Sequence, residues 1–343
     1  TQPVERPVPT PATPVEQGRD TSKFVTPRHM AGRDVKRIAV LLPFSHPSAG
    51  VKAQASDLLA AMEMALFDQG ANDVVLLPYD TAGDARTAAR VAEQALEEGA
   101  DIFVGPLFAE SVRASANVAR RDQIPLLAFS NDRGAAGGGA FLISFPPEEE
   151  VARIVDWAVL RGINRFAFMG PSSAYSRRVE TALRFEAARR GAIVVGAEFY
   201  SPQNEAPVDE AQRLASRIDS ATQNGTQKVG VMIAERGTRL LGVAPLLPYY
   251  EVDLRQIQYL GTAQWDDPAI WREPVLSGAA FSAADPEDTS LFTNSFDAIY
   301  GKDPASLASL GYDAVALSIS FLRDGKVERN EIADFDGFRG VNG

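Results

Sequence analysis

The chain has 343 residues, enough for two domains, a formal net charge of −11 and no cysteine. Its acidic balance argues against nucleic-acid binding, because phosphate recognition needs clustered Lys and Arg. The missing cysteines exclude disulfides, thiolate catalysis and zinc–thiolate sites, and only His29 and His46 are available for an imidazole site. We therefore expect neither a metal site nor a cofactor.

Residues 1–34 are rich in proline, threonine, glutamine and charge. Such a composition cannot bury enough apolar surface to offset chain entropy, which predicts a disordered, semi-extended tether. Two interpretations stay open. The segment is either a flexible terminus or the spacer of an outer-membrane lipoprotein, anchored by lipid through an N-terminal cysteine outside this sequence.

The first ordered stretch, 36–50, has the pattern of strand, loop and helix start. Residues 38–42 form an unbroken apolar run, which is typical of a strand buried on both faces in a parallel sheet. Pro43 ends the run, and a loop with Ser45, His46 and Ser48 precedes a helical pattern. In open α/β sheets ligands bind beyond the carboxyl ends of strands, so this loop is a candidate site.

Further apolar runs at 73–79, 101–104 and 124–129 alternate with helical patterns, which predicts a doubly wound parallel layer. Residues 141–145 predict a fifth strand, and a second strand–helix series extends from 166 to 261. We expect the chain to cross into a second lobe near 144 and to return near 281. The predicted division is a tether 1–34, a first lobe 35–143 plus 281–322, and a second lobe 144–280 plus 323–343.

Motifs distributed over 36–343 give the chain a family resemblance. They are the Ile-Ala-Val-Leu-Leu-Pro run at 38–43, Val-Gly-Pro at 104–106, Ala-Tyr-Ser at 174–176, Gly-Tyr-Asp-Ala-Val at 311–315 and Gly-Phe-Arg-Gly at 337–340. In this order and spacing the chain resembles the type I periplasmic-binding proteins of the leucine/isoleucine/valine-binding branch. The resemblance implies an α/β fold of two doubly wound parallel-sheet lobes, with a hinge and an interlobe cleft.

Within that family the second lobe looks most like the penicillin-binding-protein activators, the LppC-like envelope lipoproteins. The similar stretches are Gly-Thr-Ala-Gln-Trp-Asp-Asp at 261–267, Trp-Arg-Glu-Pro at 271–274, Gly-Ala-Ala-Phe at 278–281 and Tyr-Gly-Lys-Asp-Pro at 300–304. This resemblance implies a non-catalytic periplasmic regulator whose partner is a peptidoglycan synthase. The alternative is the solute-binding component of an ABC importer for amino acids or amides, with a small polar molecule in the interlobe cleft.

Both interpretations place the ligand between loops that follow the strands. The candidate ligand-binding residues are Ser45, His46, Leu107, Phe108, Ser130, Asn131, Asp132, Ser173, Tyr175 and Trp265. For the small polar residues, helix capping or turn formation is the plain alternative. Tyr175 and Trp265 stand out because a large amphipathic ring can stack on a ligand and still bond water, although packing beneath the loop is the alternative.

The positions that bind an amino acid in the resembled family differ in this chain. Ala109 and Glu110 lie where a carboxylate-binding serine is usual. Asp132 replaces a usual threonine, and Ala263 replaces the usual ammonium-binding acid. Facing carboxylates cost free energy unless an arginine intervenes, and Arg133 is a candidate for that role. These differences argue against a plain α-amino acid and favour another ligand or a vestigial cleft.

The sequence contains no pattern that marks an enzyme. It has no His-Glu-x-x-His motif, Walker loop or nucleophile elbow. The glycine-rich stretch 134–139 precedes a strand rather than opening a helix, so it does not fit a phosphate loop. The adjacent acids Asp266 and Asp267 are more typical of a helix start, and His46 has no orienting acid in view. We expect no catalytic residues.

Overall fold

The computed structural model describes residues 21–222, 228–323 and 340–341. Strands and helices alternate along these residues, and the strands form two five-stranded parallel sheets. The strands are β1 (Lys36–Leu42), β2 (Val74–Asp80), β3 (Ile102–Val104), β4 (Leu126–Ala128), β5 (Ala140–Leu142), β6 (Arg165–Pro171), β7 (Ile193–Tyr200), β8 (Val229–Ile233), β9 (Ile257–Gly261) and β10 (Ala280–Phe281). The helices are α1 (Ala49–Asp68), α2 (Ala85–Glu97), α3 (Ala109–Ala119), α4 (Pro147–Leu160), α5 (Ala174–Arg189), α6 (Val208–Thr222), α7 (Gly237–Val243), α8 (Leu246–Tyr249), α9 (Pro268–Trp271), α10 (Pro286–Tyr300) and α11 (Ala308–Arg323).

β1 is an inner strand of the first sheet, whose strand order is β2-β1-β3-β4-β5. Side chains alternate between the two faces of a strand. Ile38 and Val40 pack in the layer of α1 and α11, whereas Ala39 and Leu41 pack against α2 and α3. All four are fully buried, which explains why the apolar run in the sequence is continuous.

The second sheet repeats this arrangement in the order β10-β9-β8-β6-β7. Phe166 and Phe168 of β6 pack with α4 and α5, and Ala167 and Met169 pack with α6, α7 and α8. Two doubly wound parallel sheets confirm the predicted α/β fold class. None of the helices in the described part of the chain combines the length and the apolar character needed to span a bilayer.

After β10 the chain returns to the first sheet, where α10 and α11 pack beside α1. Phe292 and Phe296 of α10 share a core with Ala61 and Met64 of α1. Near the end of the chain, the N–H of Val341 donates to Asp313 Oδ1 at 2.8 Å, so Val341 lies against α11. Residues 324–339, most of the tail predicted for the second lobe, lie outside the described residues.

Residues 21–34 differ from the prediction of a disordered tether. Arg37 of β1 is 7% exposed, and its guanidinium donates to the carbonyls of Val25 and Val35 at 2.9 and 2.7 Å and to the Thr26 hydroxyl at 2.9 Å. A buried guanidinium without hydrogen-bond acceptors costs free energy. These three hydrogen bonds therefore hold the chain around Val25 against the sheet. The prediction for 1–20 concerns residues outside those described.

We expect Phe24→Ala to lower the free energy of unfolding by about 1–3 kcal/mol. The half-buried ring covers Gly99 and lies 4.9 Å from the guanidinium carbon of Arg37. Val25→Ala is the control, because that exposed side chain should cost less than about 0.5 kcal/mol. Urea unfolding measures both variants. Equal stability of the two variants would mean that the segment does not pack as described.

Gly311 allows α11 to approach α1 closely, since a Cβ at this position would lie 2.6 Å from the carbonyl oxygen of Leu58. We expect Gly311→Ala to lower the free energy of unfolding by about 1–3 kcal/mol through overpacking. Gly50→Ala in α1 is the matched control, because its Cβ would meet only Ser48 Oγ at 3.9 Å. The control should be neutral or stabilising by up to about 1 kcal/mol. Similar urea midpoints for both variants would contradict the close approach.

Candidate functional site

The loops at the carboxyl ends of both sheets meet between the lobes. The side chains of Arg178 and Arg133 join them. Arg178 Nη2 of α5 donates to the carbonyl oxygen of Asn131 at 2.7 Å, and Arg133 Nη2 pairs with Glu149 of α4 at 2.5 Å. Asn131 and Arg133 follow β4 in the first sheet, whereas α4 and α5 pack on the second. The cleft predicted from the sequence therefore has polar loops on both sides.

The loop after β1 is fixed by Asp80 at the end of β2. The N–H groups of Ser45 and Ala82 donate to Asp80 Oδ1 at 3.2 and 2.9 Å. Burial raises the pKa of Asp80, but hydrogen bonds from the Ser45 hydroxyl and from backbone N–H groups outweigh it, and the pKa is lowered. The ionised carboxylate holds Ser45 at the mouth of the cleft.

His46 and Phe108 form an aromatic pair at this edge, with ring centroids 5.4 Å apart. Gly83 leaves room for both, since a Cβ there would lie 2.7 Å from His46 Cδ2 and 3.0 Å from the Phe108 ring. His46 Nδ1 accepts the N–H of Ser48 at 3.1 Å, so its partner is backbone rather than an orienting acid. Leu107 packs against the core of the first lobe.

Arg113 lies between the two acids that replace hydroxyl residues of the resembled family. Its Nη1 pairs with Glu110 Oε1 at 2.5 Å and its Nη2 with Asp132 Oδ2 at 2.9 Å. The N–H of Asp132 donates to the buried Ser130 hydroxyl at 3.2 Å. Sequence reasoning considered Arg133 for this role and missed Arg113, although Arg113 is three residues after Glu110 on a predicted helix.

Arg178 connects the acidic first turn of α4 to the first lobe. Its guanidinium makes two 2.7 Å hydrogen bonds to the Glu148 carboxylate while donating to Asn131. Burial raises the pKa of Glu148, but the Arg178 hydrogen bonds and charge outweigh this effect, and the pKa is lowered. Asn131 thus joins the two lobes through its backbone carbonyl.

Tyr175 lies on the second-lobe side of the cleft. Its hydroxyl is hydrogen-bonded to that of Thr262 at 2.8 Å. Burial is the largest effect on the phenol and raises the pKa of Tyr175 to about 12. Ser173 caps α5, because its hydroxyl oxygen accepts the N–H of Ser176 at 3.1 Å. Helix capping, the plain alternative for the small polar residues, therefore accounts for Ser173.

Trp265 is part of the second-lobe core. It is 1% exposed, and its Nε1–H donates to the carbonyl of Glu235 at 3.0 Å. The indole covers Gly261, where a Cβ would lie 2.2 Å from the ring. The packing alternative accounts for this residue, because the ring offers a ligand no exposed face.

Glu150 lies beside the position where the resembled family usually has an acid. Its Oε2 accepts the N–H of Ala263 at 2.9 Å. Burial raises the pKa of Glu150 to about 7, the Ala263 N–H lowers it, and the nearby Glu148 charge raises it further. From the sequence, the acids at 148–150 predicted only a favourable helix start, so Glu150 was missed as a site residue.

A groove of about 520 Å³ lies beside the interlobe contacts, between α4 and α5. Most of the charged residues that line it form three ion pairs, namely Arg133–Glu149, Arg178–Glu148 and Arg189–Glu186. Within the described ranges, no cluster of three or more His, Cys, Asp or Glu residues is arranged to hold a metal ion. The cleft-side groups therefore offer hydrogen bonds and charge.

We expect Glu150→Gln to be more stable than the wild type at pH 8 and equally stable at pH 4. The pKa of Glu150 is about 7 in the folded protein, above its ordinary value of 4.5. Ionisation of this carboxyl group therefore lowers the free energy of unfolding, and the loss is complete once pH has risen through 7. The gain at pH 8 should be about 1–3 kcal/mol. Glu149→Gln is the control and should show no gain, because Glu149 is exposed and paired with Arg133. Urea unfolding from pH 4 to 8 that gave the two variants the same profile would contradict the burial of Glu150.

The family model described as periplasmic binding protein matches residues 36–335. The chain is 22% identical over 223 residues to uncharacterized protein RP748 of Rickettsia prowazekii (strain Madrid E), a match covering 64% of this chain and 58% of that protein. The match thus spans less than two thirds of the length of that relative.

Solved structures with low sequence identity share the fold. A branched-chain amino acid ABC transporter candidate from Rhodospirillum rubrum has a TM-score of 0.77 and 18% identity, covering 90% of this chain and 92% of that one. An ABC transporter substrate-binding protein from Desulfitobacterium hafniense, in complex with Leu, has a TM-score of 0.60 and 19% identity, covering 85% and 84%. The family match, which includes both sheets and the loops between them, shows that the chain belongs to the periplasmic binding protein family.

Proposed function

We propose that the protein is the solute-binding component of an ABC importer and holds one small polar molecule between its lobes in the periplasm. The observation that carries this proposal is the meeting of polar loops from both sheets. Arg178 contacts Asn131 across the cleft, with Tyr175 and Thr262 on the second-lobe side. A solute held there can exchange water for hydrogen bonds from both lobes.

The connections between the lobes support a binding mechanism based on closure. The chain passes from β5 to α4 through residues 143–146 and from β10 to α10 through residues 282–285. Short crossings of this kind can absorb a change of backbone angles while both cores remain packed. A solute that contacts both sets of loops would then favour the closed arrangement.

The similar structures support the importer hypothesis, which the sequence offers as the alternative to the regulator. The Desulfitobacterium hafniense protein is described as a substrate-binding protein in complex with Leu. The family match extends across both lobes, which supports transfer of the general binding mode. We propose His46, Phe108, Ser130 and Tyr175 among the residues that line the solute site.

The regulator of peptidoglycan synthesis is kept as the second candidate because of the acidic first-lobe loops. Glu110 and Asp132 both form ion pairs with Arg113, so this guanidinium is not free to bind a solute carboxylate. A regulator would contact a peptidoglycan synthase through its surface and would require no solute. Its proposed lipid anchor would precede residues 1–20, which lie outside the described part of the chain.

A thermal-shift screen with amino acids, amides, sugars and peptidoglycan fragments tests the two functions. We expect one small solute to raise the melting temperature by several degrees, since a ligand at a hundred times its Kd contributes about 2.7 kcal/mol. Tyr175→Ala should remove the shift. Tyr249→Ala should retain it, because Tyr249 is 76% exposed and lies on α8, away from the cleft loops.

A shift with cell-wall fragments alone, or a flat screen together with binding to a peptidoglycan synthase, would contradict the importer component and support the regulator. A solute shift that survives in Tyr175→Ala would place the bound molecule outside the proposed site. Circular dichroism of each variant establishes that it is folded.

A further inference from the structure

One wall of the groove between α4 and α5 is formed by side chains that recur every four residues along α5. They are Arg177, Thr181, Phe185 and Arg189. Residues four apart lie one above another on a helix, so these side chains form a stripe along about 18 Å of α5. The stripe presents a cation, a hydroxyl, an aromatic ring and a second cation, in that order.

Arg177 is the cation of the groove that lacks a counter-charge. Four arginines and three glutamates line the groove, and each glutamate forms an ion pair with one or more of the other three arginines. Arg177 is exposed, and its guanidinium forms no ion pair or hydrogen bond with any residue that the structure describes. The groove therefore has an excess of positive charge, although the formal net charge of the chain is −11.

Screening determines whether this local excess can attract an anion. At physiological ionic strength the Debye length is about 8 Å, so acidic groups beyond that distance contribute little. The glutamates inside the groove are already paired, so a carboxylate at Arg177 would form a new ion pair without breaking an existing one. The fork of N–H groups on a guanidinium matches a carboxylate. One turn further along α5, the exposed Thr181 hydroxyl can donate a second hydrogen bond.

Apolar side chains line the groove beyond Thr181. Phe185 is 61% exposed, and Ala152 of α4 and Ala182 of α5 line the groove beside it. A single exposed ring is ordinary on a protein surface, but this one lies two turns from Arg177, about 12 Å along the helix. An exposed ion pair binds weakly by itself. A ligand of this groove therefore needs an apolar part that packs on the ring as well as a charge.

We propose that the groove between α4 and α5 is a second binding site, separate from the interlobe cleft, for an organic anion with an apolar body. The carboxylate of the ligand pairs with Arg177 and accepts a hydrogen bond from Thr181, and the apolar body packs on Phe185. The volume of about 520 Å³ lies within the range of small-molecule sites. This inference does not depend on the proposed function, because none of these three residues is assigned to the cleft.

NMR titrations that observe the ligand test this assignment on the full chain, with 4-phenylbutanoate and 6-phenylhexanoate as probes. Two chain lengths are used because the carboxylate must reach Arg177 while the ring contacts Phe185. We expect at least one of these anions to bind, and more weakly as salt is added. Its alcohol analogue, 4-phenylbutan-1-ol or 6-phenylhexan-1-ol, should bind about fivefold more weakly, the effect of losing an exposed ion pair. Butanoate, which lacks the ring, should also bind more weakly.

Matched variants separate the groove from general surface charge and from the cleft. Arg177→Gln should weaken binding of the anion about fivefold, whereas Arg153→Gln, an exposed arginine of α4 outside the groove, should change it less than about twofold. Phe185→Ala should also weaken binding, and Leu160→Ala, an 85% exposed side chain at the end of α4, is its control. Tyr175→Ala should still bind the anion, because Tyr175 does not line the groove.

Three results would overturn the inference. The first is the absence of saturable binding by both anions. The second is equal weakening in Arg177→Gln and Arg153→Gln, which would indicate attraction by surface charge alone. The third is loss of binding in Tyr175→Ala with full binding in Arg177→Gln, which would place the anion in the interlobe cleft and support the proposed function.

The inference and the proposed function can fail separately. A thermal-shift screen without any solute, together with anion binding that depends on Arg177 and Phe185, would contradict the importer component and support the groove site. Circular dichroism distinguishes lost binding from lost folding in each variant.

Discussion

Burial of the inner strands on both faces is the constraint on which the rest of the molecule depends. The middle residues of β1 and β6 have no face open to water, so the side chains at 38–42 and 166–169 are apolar throughout. Polar groups are consequently concentrated in the loops at the strand ends, and parallel pairing brings the carboxyl ends of five strands to one edge of each sheet. The helical layers thus determine where a site can lie before any functional residue is specified.

Charge pairing then determines which of the loop groups remain available. Arg113 is shared by Glu110 and Asp132, and Arg178 is engaged by Glu148 and a carbonyl of the opposite lobe. These groups shape and join the loops rather than offering free charge. The Glu150 carboxylate differs, because a single backbone N–H among the described residues donates to it and its pKa is raised.

The sequence predicted the fold well because its signal is local. Continuous apolar runs identified β1 and β6, and loop positions followed from the strand ends. Long-range partners could not be predicted. The indole of Trp265 is buried over Gly261, and Arg37 holds the chain around Val25 against the sheet, contacts that depend on tertiary packing. Glu150 was hidden for the same reason, since only the folded chain brings it to Ala263.

The most direct test of the central claim, that one solute is held between two lobes, is hydrogen-exchange mass spectrometry with the solute that gives the largest melting shift. The account predicts slower exchange in loops of both lobes, at 105–109 and 129–133 in the first and at 171–176 and 262–265 in the second. Exchange at the outer surfaces of α1 and α10 should not change. Protection confined to one lobe, or located on those outer helices, would contradict a solute site in the interlobe cleft.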